Sequence, residues 1–465
     1  MAVAEVRQRS FRTGVPLADL VAEYASHRLF RNTPDVHVLG NPYRRPLNAD
    51  TLGELDFSRP IREDEFSSYG SLVANRILLN FYESESILLP ASGLATARKD
   101  FEAFYDDDLR QTALALRPEL EQYAFGFLDE AVDVTGTWTT DLLRTHFLRI
   151  VEEADAEVTP GLQAIRRLAE PRDGVDMLLI QLALDGLTEA SAMARNLGGS
   201  YGPEQSELFK IFIDEFGAGV FEAKHSTIFE KLISSRGLKT DVHAYWHFYL
   251  TGSIAIINYF NYLTDDHRKF FRYAGALTFA EWTFAKFFTD LAKLLGELFG
   301  PEVDTHYCDE HGHIDVHHGQ MTFENLLLGL GRKHGDDVIP ELVRGVEEIR
   351  LLARLTDEEF IRQIEWADSL DEHARRGGEL EPAEEIESAA LEPGHPFGTR
   401  TFDEPSLVSV HSGELDLHTG GENRPFRLGA GDAMLVPAGC LHGLRARGPS
   451  AYTRFGVEGD GGVES

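Results

Sequence analysis

The stretch HGHIDVHHG, residues 311–319, holds four of the chain's 18 histidines together with an aspartate. An α-helix advances about 100° per residue, so His311, Asp315 and His318 would lie within about 60° of each other on one face. His313 and His317 would lie on the opposite face. Imidazole nitrogens and carboxylate oxygens are ligands that iron accepts. The spacing therefore predicts a helix that presents a His-Asp-His face to a metal ion.

The segments around this stretch carry apolar residues at helical spacing. Between residues 138 and 375, six or seven such segments follow one another with short links, which is typical of an α-helical bundle. Residues 1–135 also contain helical segments, broken by proline-rich loops such as NPYRRPL (41–47). We expect this N-terminal region to form a helical domain of its own.

The pattern changes in the last part of the chain. Residues 371–393 are charged and contain Gly and Pro, which predicts a solvated linker. The runs SLVSVHSGELDLHTG (406–420) and PFRLGAGDAMLVPAG (425–439) then alternate apolar and polar residues between glycine turns, as in a β-barrel. The sequence predicts a multidomain, mainly α protein with a helical N-terminal domain (1–135), a helical bundle (136–378) and a C-terminal β-barrel (379–465).

Composition excludes several classes of function. The 465 residues carry a formal net charge of −33, which argues against binding to nucleic acid or to anionic membranes. No apolar run of about 18 residues predicts a membrane span, and the N-terminus lacks the apolar core of a signal peptide. The two cysteines, Cys308 and Cys440, are too few for a disulfide framework. We therefore expect a cytoplasmic protein, with Cys308 an ordinary residue near a helix start.

Ionisable residues also interrupt the apolar helical segments elsewhere in the predicted bundle. Charged side chains rarely enter such a face unless they are paired or bind a metal. With the His-Asp-His face they make four carboxylates and three imidazoles, and four negative charges balance two Fe²⁺ ions. Several helices that each supply one or two such ligands are typical of a carboxylate-bridged di-iron centre. The added residues are Glu189, Glu215, His225 and Glu281.

Two of these ligand assignments have competitors. On an unbroken helix Glu215 and His225 would lie about 80° out of register, although Gly217 and Gly219 between them could let the backbone unwind. Glu222 forms an i, i+3 pair with His225 and competes with Glu215. Asp185, one turn before Glu189, is a second competitor.

Several of these motifs resemble the haem-oxygenase-like di-iron oxidases. The resemblance is carried by LTEASAMARN (187–196), DEFGAGVFEAKHSTIFE (214–230) and HGHIDVHHG (311–319). With NPYRR (41–45), YAFGFLDE (123–130), IPELVRGVEE (339–348) and the three-part layout, the chain is more narrowly similar to the N-nitrosourea-forming enzymes, which add a C-terminal cupin. The resemblance covers most of the chain and is strongest over residues 117–350.

The resemblance implies a function and a set of ligands. In that family the N-terminal region forms a homodimer, and the central di-iron domain uses O₂ to hydroxylate guanidine nitrogens of an N-methylated arginine. The cupin iron then rearranges the product to a nitrosourea. Glu281 matches an additional carboxylate of that site and is expected to be both a further metal ligand and the candidate catalytic residue. Because Glu215 matches a ligand position by itself, the resemblance favours Glu215 over Glu222. By position, the metal ligands are Glu189, Glu215, His225, His311, Asp315 and His318.

The predicted barrel departs from that family at its metal site. The second cupin motif is present in Gly431, Pro437, Gly439 and His442. The first motif should supply an HxH pair, yet the corresponding positions are Arg400 and Phe402, or Thr399 and Thr401. A stable iron site needs three or four ligands, so we expect no cupin iron and no cupin-dependent rearrangement. The possible substitute ligands are His395, Asp403, Glu404 and His411.

The functional interpretation is a di-iron monooxygenase that holds two Fe²⁺ per chain and takes electrons from an external donor. Its expected substrate is L-arginine or an N-methylated arginine, in natural-product biosynthesis such as that of antibiotics. Three alternatives stay open from the sequence. The bundle could bind iron without an organic substrate, as ferritin-like proteins do, or it could oxidise another amino acid or a fatty acid. The chain could also be a metal-free scaffold with a sensory cupin.

Overall fold

A computed structural model describes residues 17–156 and 158–457 of the chain. Within these residues, the helices lie between residues 17 and 379 and the strands follow them. The mainly helical fold class with a C-terminal β region is thus confirmed. The helices of the N-terminal part are α1 (Leu17–Ala25), α2 (Tyr69–Glu83), α3 (Arg98–Phe104), α4 (Asp107–Phe125) and α5 (Leu128–Ala131). The helices that follow are α6 (Thr140–Ala156), α7 (Pro160–Arg167), α8 (Pro171–Gly186), α9 (Pro203–Glu215), α10 (His225–Ser235), α11 (Thr251–Asp265), α12 (Phe270–Phe299), α13 (His306–Met321), α14 (Leu328–His334), α15 (Ile339–Asp368) and α16 (Leu370–Glu379).

The chain divides into two compact units, and each collects separate parts of the sequence. One comprises Met1–Gly126, His243–Thr251 and Arg362–Ser465; the other comprises Phe127–Val242 and Gly252–Ile361. We call the first the barrel unit and the second the helical unit. The three-domain boundaries expected from the sequence stay a prediction. Within the described residues, no helix is both long and apolar enough to span a membrane.

Local sequence explains where several helices of the helical unit begin. Pro160, Pro171 and Pro203 are the first residues of α7, α8 and α9. Proline is favoured at this position because its missing N–H would have no partner there and its φ angle already suits a helix. Each of the three helices therefore begins at a position that its own sequence determines.

Helices α12 and α13 of the helical unit pack against each other and approach closely at a glycine. A Cβ atom added to Gly319 of α13 would lie 2.9 Å from the Cα atom of Trp282 on α12. Only glycine leaves room for the two backbones at this distance. The contact aligns α13 alongside the segment of α12 that carries Glu281.

The strands form two antiparallel sheets in the barrel unit. One sheet has the order β1-β7-β2-β5 and the other has the order β4-β3-β6. Inward-facing side chains such as Val408, Leu415, Leu428 and Met434 form a shared core. The strands are β1 (Glu385–Leu391), β2 (Ser406–Ser412), β3 (Glu414–His418), β4 (Phe426–Gly429), β5 (Ala433–Val436), β6 (Gly443–Ala446) and β7 (Ser450–Gly456).

The prediction of a solvated linker at residues 371–393 is wrong. Most of α16 and all of β1 lie in this stretch. His373 and Gly377, four residues apart, are buried on one face of α16, and Leu370 and Ala374 pack against the barrel core. A Cβ atom on Gly377 would lie 2.9 Å from the carbonyl oxygen of Ala433 on β5. The charged composition hid an amphipathic helix that packs against the barrel.

Candidate metal centre

The HGHIDVHHG stretch lies within α13 and divides into two faces as its spacing predicts. His311, Asp315 and His318 are buried, with exposed fractions of 3%, 1% and 1%. His313 and His317 are exposed. The buried face therefore places two imidazoles and a carboxylate inside the helical unit.

A break in the backbone between α9 and α10 brings Glu215 and His225 together. Glu215 is the last residue of α9 and His225 is the first residue of α10. Between them Gly217, Ala218 and Gly219 have φ angles of 59°, 51° and 85°. The Glu215 Oε2 and His225 Nδ1 atoms lie 2.7 Å apart. The chain thus unwinds at the glycines, and the register of a continuous helix does not apply.

Glu189 reaches the same place from a turn rather than from a helix. α8 ends at Gly186, before this residue. The Tyr307 hydroxyl donates a hydrogen bond of 2.8 Å to Glu189 Oε1, and His311 Nε2 lies 3.2 Å from the same oxygen. The turn therefore aims Glu189 at the buried face of α13.

The ligand-type atoms form two groups that share one carboxylate. The first group is Glu189, Glu215, His225 and His311; the second group is Glu215, Asp315 and His318. Within each group, one ligand atom from every residue lies within 4.8 Å of the others. Glu281 of α12 adjoins the second group, with its Oε2 atom 3.3 Å from His318 Nδ1. The structure thus brings together all seven residues selected from the sequence.

The strongest indication that these groups suit metal ions is a set of buried atoms without hydrogen bonds. A buried polar atom without a partner costs free energy, and a cation would satisfy several such atoms at once. Mixed nitrogen and oxygen donors, with more carboxylates than imidazoles, fit ferrous iron. The atoms are Glu189 Oε2, Glu215 Oε2, His225 Nδ1, His311 Nε2, Asp315 Oδ1 and His318 Nδ1.

The pKa shifts of Glu281 and His318 reflect the electrostatics of the cluster. Burial raises the pKa of the Glu281 carboxyl to about 7, although its close contact with His318 opposes the shift. Burial lowers the pKa of His318, but Asp315 and Glu281 outweigh it and raise that pKa to about 11. Positive charge is thus strongly favoured at this position. A metal ion that binds there would displace protons, since its ligands must be deprotonated.

Two further residues hold the ligands in position, and the sequence analysis did not select them. The His318 Nε2 atom lies 3.1 Å from Asp214 Oδ2, on the side of the ring away from Nδ1. Tyr307 holds Glu189 as described above. Carboxylates and hydroxyls that bond the ligands are the usual outer partners in metal sites. The sequence offers two signals for these residues. Asp214 is adjacent to Glu215, and Tyr307 lies four residues before His311.

The two competing carboxylates lie outside both groups. Glu222 is exposed on a short turn, Phe221–Ala223. Asp185 lies beside the first group, where burial and the charges of Glu189 and Glu215 raise its pKa to about 7. The geometry favours Glu215 over Glu222, whereas Asp185 is a carboxyl beside the ligands whose protonated form is favoured.

The histidines and carboxylates considered for the barrel do not form a group of three ligand-type atoms with His442 in the described residues, although His395 lines the same cavity. His395, Glu404 and His411 are exposed, and His411 Nε2 lies 2.8 Å from the Thr453 hydroxyl. Asp403 accepts a hydrogen bond from the backbone N–H of Tyr69. Both groups of ligand-type side chains found in the described part of the chain lie in the helical unit. The expected lack of a cupin iron stays a prediction.

Asp214→Asn is expected to weaken iron binding at the second group about 10- to 100-fold, because the neutral amide no longer holds His318 with a charge-assisted hydrogen bond. Anaerobic titration of the metal-free chain with Fe²⁺ measures this affinity. Asp309→Asn is the matched control, since Asp309 is an exposed acid on α13. Equal titration curves for the two variants would rule out a positioning role for Asp214.

Comparisons with known proteins agree with this site. A family model described as an iron-containing redox enzyme matches residues 176–352, which include all seven residues of the cluster. A model described as an AraC-like ligand binding domain matches residues 386–461. The chain is 39% identical over 455 residues to nitrosourea synthase of Streptomyces achromogenes subsp. streptozoticus, and the match covers 96% of each chain. A likeness of this extent shows that the chain belongs to the nitrosourea synthase family and is an iron-containing oxidoreductase with a C-terminal cupin-like domain.

Proposed function

We propose that the helical unit is a non-haem di-iron monooxygenase that hydroxylates guanidine nitrogens of L-arginine or an N-methylated arginine. The observation that carries this proposal is the pair of ligand groups joined by Glu215 in a buried site. A carboxylate shared by two metal positions is the arrangement that a di-iron centre requires. The arginine assignment rests on the family resemblance, and the acidic character of the site suits a cationic guanidinium.

The reaction needs components that the chain does not supply. Each hydroxylation converts one N–H bond into N–OH, and the second oxygen atom of O₂ leaves as water after uptake of two electrons and two protons. When bound, two ferrous ions would supply the reduction of O₂. The sequence has no flavin or nicotinamide fingerprint, so the electrons come from an external reductant.

The side chains of this site have two further tasks in the proposed reaction. The guanidinium group is a poor nucleophile while it is protonated, so a proton must leave as the N–O bond forms. Glu281 adjoins the second group and is the proposed base for that proton. Asp214 and Tyr307 hold His318 and Glu189 in place, which fixes the orientation of these two ligand side chains.

We further propose that this chain stops at N-hydroxylation and does not form a nitrosourea. The barrel lacks the HxH histidines at residues 399–402, and His442 belongs to no group of three ligand-type side chains in the described residues. The N-hydroxylated amino acid would then be the released product. A separate enzyme would have to carry out any later rearrangement.

The test is a product assay with iron-loaded chain, O₂, a chemical reductant and either L-arginine or Nω-methyl-L-arginine. We expect products heavier by about 16 or 32 mass units for one or two added oxygen atoms, with ¹⁸O from ¹⁸O₂ retained in them. Glu215→Ala is the inactive control. Absence of product from both substrates at full iron loading would refute the arginine assignment, and oxidation of iron without any substrate effect on O₂ uptake would point to a ferritin-like protein.

A further inference from the structure

The barrel unit contains a cavity of about 570 Å³ whose charge is opposite to that of the chain as a whole. The charged residues of its lining are Arg31, Arg400 and Glu387, which leaves one excess positive charge. The full chain, by contrast, has a net charge of −33. A volume of this size lies in the range of about 300–1,000 Å³ that is typical of small-molecule sites. The cavity therefore suits a small anion.

Arg400 keeps part of its guanidinium available to the cavity. Its Nη2 atom donates a 2.5 Å hydrogen bond to Glu387 Oε2, and Glu387 Oε1 accepts a hydrogen bond from the Tyr452 hydroxyl. The Nε and Nη1 atoms of Arg400 make no hydrogen bond to the described residues. The guanidinium also lies over the ring of Phe402, 5.0 Å from its centroid. The side chain is thus held in one orientation, with donors left for a carboxylate.

His442 lies directly opposite Arg400 and offers the cavity a hydrogen-bond acceptor. The two residues exchange backbone hydrogen bonds of 2.9 and 3.0 Å, and residues paired in this way direct their side chains to the same face. The His442 Nδ1 atom lies 3.0 Å from the Cys440 carbonyl, so it carries the proton and donates it. Burial and the nearby Arg400 and Arg454 lower the pKa of His442 to about 3, which leaves the ring neutral. Its Nε2 atom can therefore accept a hydrogen bond.

These neighbours make the cavity unsuitable for a cation. His395 and Glu387 also line the cavity, but in the described residues they do not form a group of three ligand-type atoms with His442. A metal ion at His442 would also lie near the guanidinium groups of Arg400 and Arg454. Both of those groups lie close to the Phe402 ring, whose centroid is 4.4 Å from that of His442. An anion gains from the same charges that repel a metal ion.

We propose that this cavity binds, without a metal ion, a small organic acid that gives a carboxylate to Arg400 and an N–H or O–H donor to His442. Amino acids and 2-hydroxy acids have both groups on adjacent carbons. The proposal does not depend on the reaction of the helical unit.

Isothermal titration calorimetry of the iron-loaded full chain, kept anaerobic, tests this proposal. The probes are L-leucine, 2-hydroxy-4-methylpentanoate, 4-methylpentanoate and 4-methylpentanamide. We expect the two acids with a donor to bind more tightly than 4-methylpentanoate, and the uncharged amide to bind least. Arg400→Gln should weaken binding of the acids at least about tenfold, because a charge-assisted pair is lost. Arg427→Gln, an exposed arginine on β4, should leave binding unchanged.

Two further variants separate recognition from misfolding. Arg400→Lys keeps the positive charge and should show an intermediate affinity. His442→Phe keeps a ring of similar size and should abolish the preference for 2-hydroxy-4-methylpentanoate over 4-methylpentanoate. The proposal is overturned if none of the acids binds at millimolar concentration, if the amide binds as well as the acids, or if Arg400→Gln behaves like Arg427→Gln. Loss of iron from the chain in His442→Phe would show a barrel metal site and would also overturn it.

Discussion

Replacing Glu215 by alanine is expected to lower the iron content of the reconstituted chain from the two ions of the proposed centre to fewer than one. Glu215 belongs to both ligand groups, so its removal takes a carboxylate from each metal position. The residue is 6% exposed and the neighbouring ligand residues are buried, so water cannot readily replace its carboxylate. Loss of one shared ligand should therefore cost both ions rather than one.

Variants of the unshared ligands provide the comparison. His225→Ala and His318→Ala each remove a ligand from one group and should each leave about one ion per chain. Glu222→Ala and His313→Ala change exposed residues near the same elements and should retain both ions. Elemental analysis with Mössbauer spectroscopy of ⁵⁷Fe-loaded chains measures the content and the coupling of the ions. Two retained ions in Glu215→Ala, or loss of iron in His313→Ala, would contradict the shared-ligand arrangement.

The part of the site that the sequence predicts best is the part that depends on helix geometry alone. His311, Asp315 and His318 lie on one buried face because a helix repeats every 3.6 residues, whatever packs against it. The same periodicity places His313 and His317 on the opposite, exposed face of the helix. A single continuous helix was enough to identify three of the seven residues.

The remaining contacts depend on tertiary structure and could not be predicted from periodicity. Asp214 lies one residue before Glu215, yet its contact is with His318, which is 104 residues away. Tyr307 likewise reaches Glu189 across 118 residues. Sequence spacing gives the direction of a side chain on its own helix but does not identify its partner on another. In the same way, the charged residues of α16 concealed the buried face that contacts the barrel.

The segment between Glu215 and His225 was predicted only in part. Its glycines indicated a break in the helix, but they did not indicate the conformation of the backbone there. Gly217 has a φ angle of +59°, and a Cβ atom there would lie 2.5 Å from the carbonyl carbon of Ala223. Gly219 has a φ angle of +85°, but a Cβ atom there would meet open space. Alanine at either position would adopt a left-handed conformation that costs about 1–2 kcal/mol. Only at Gly217 would it also force the backbone of the loop apart.

We therefore expect Gly217→Ala to reduce iron content to about one ion per chain or less, and Gly219→Ala to retain both ions. Displacement of Ala223 moves His225, two residues later, away from Glu215, so the first group loses its geometry. Both variants should lower the thermal midpoint of the metal-free chain. The stabilisation that iron adds should fall only in Gly217→Ala, because bound metal stabilises the folded state by an amount that grows with the logarithm of its affinity. Differential scanning calorimetry with and without Fe²⁺ measures both effects. If the two variants responded equally to iron, backbone strain alone would explain the loss, and the close approach of Gly217 to Ala223 would have no part in forming the metal centre.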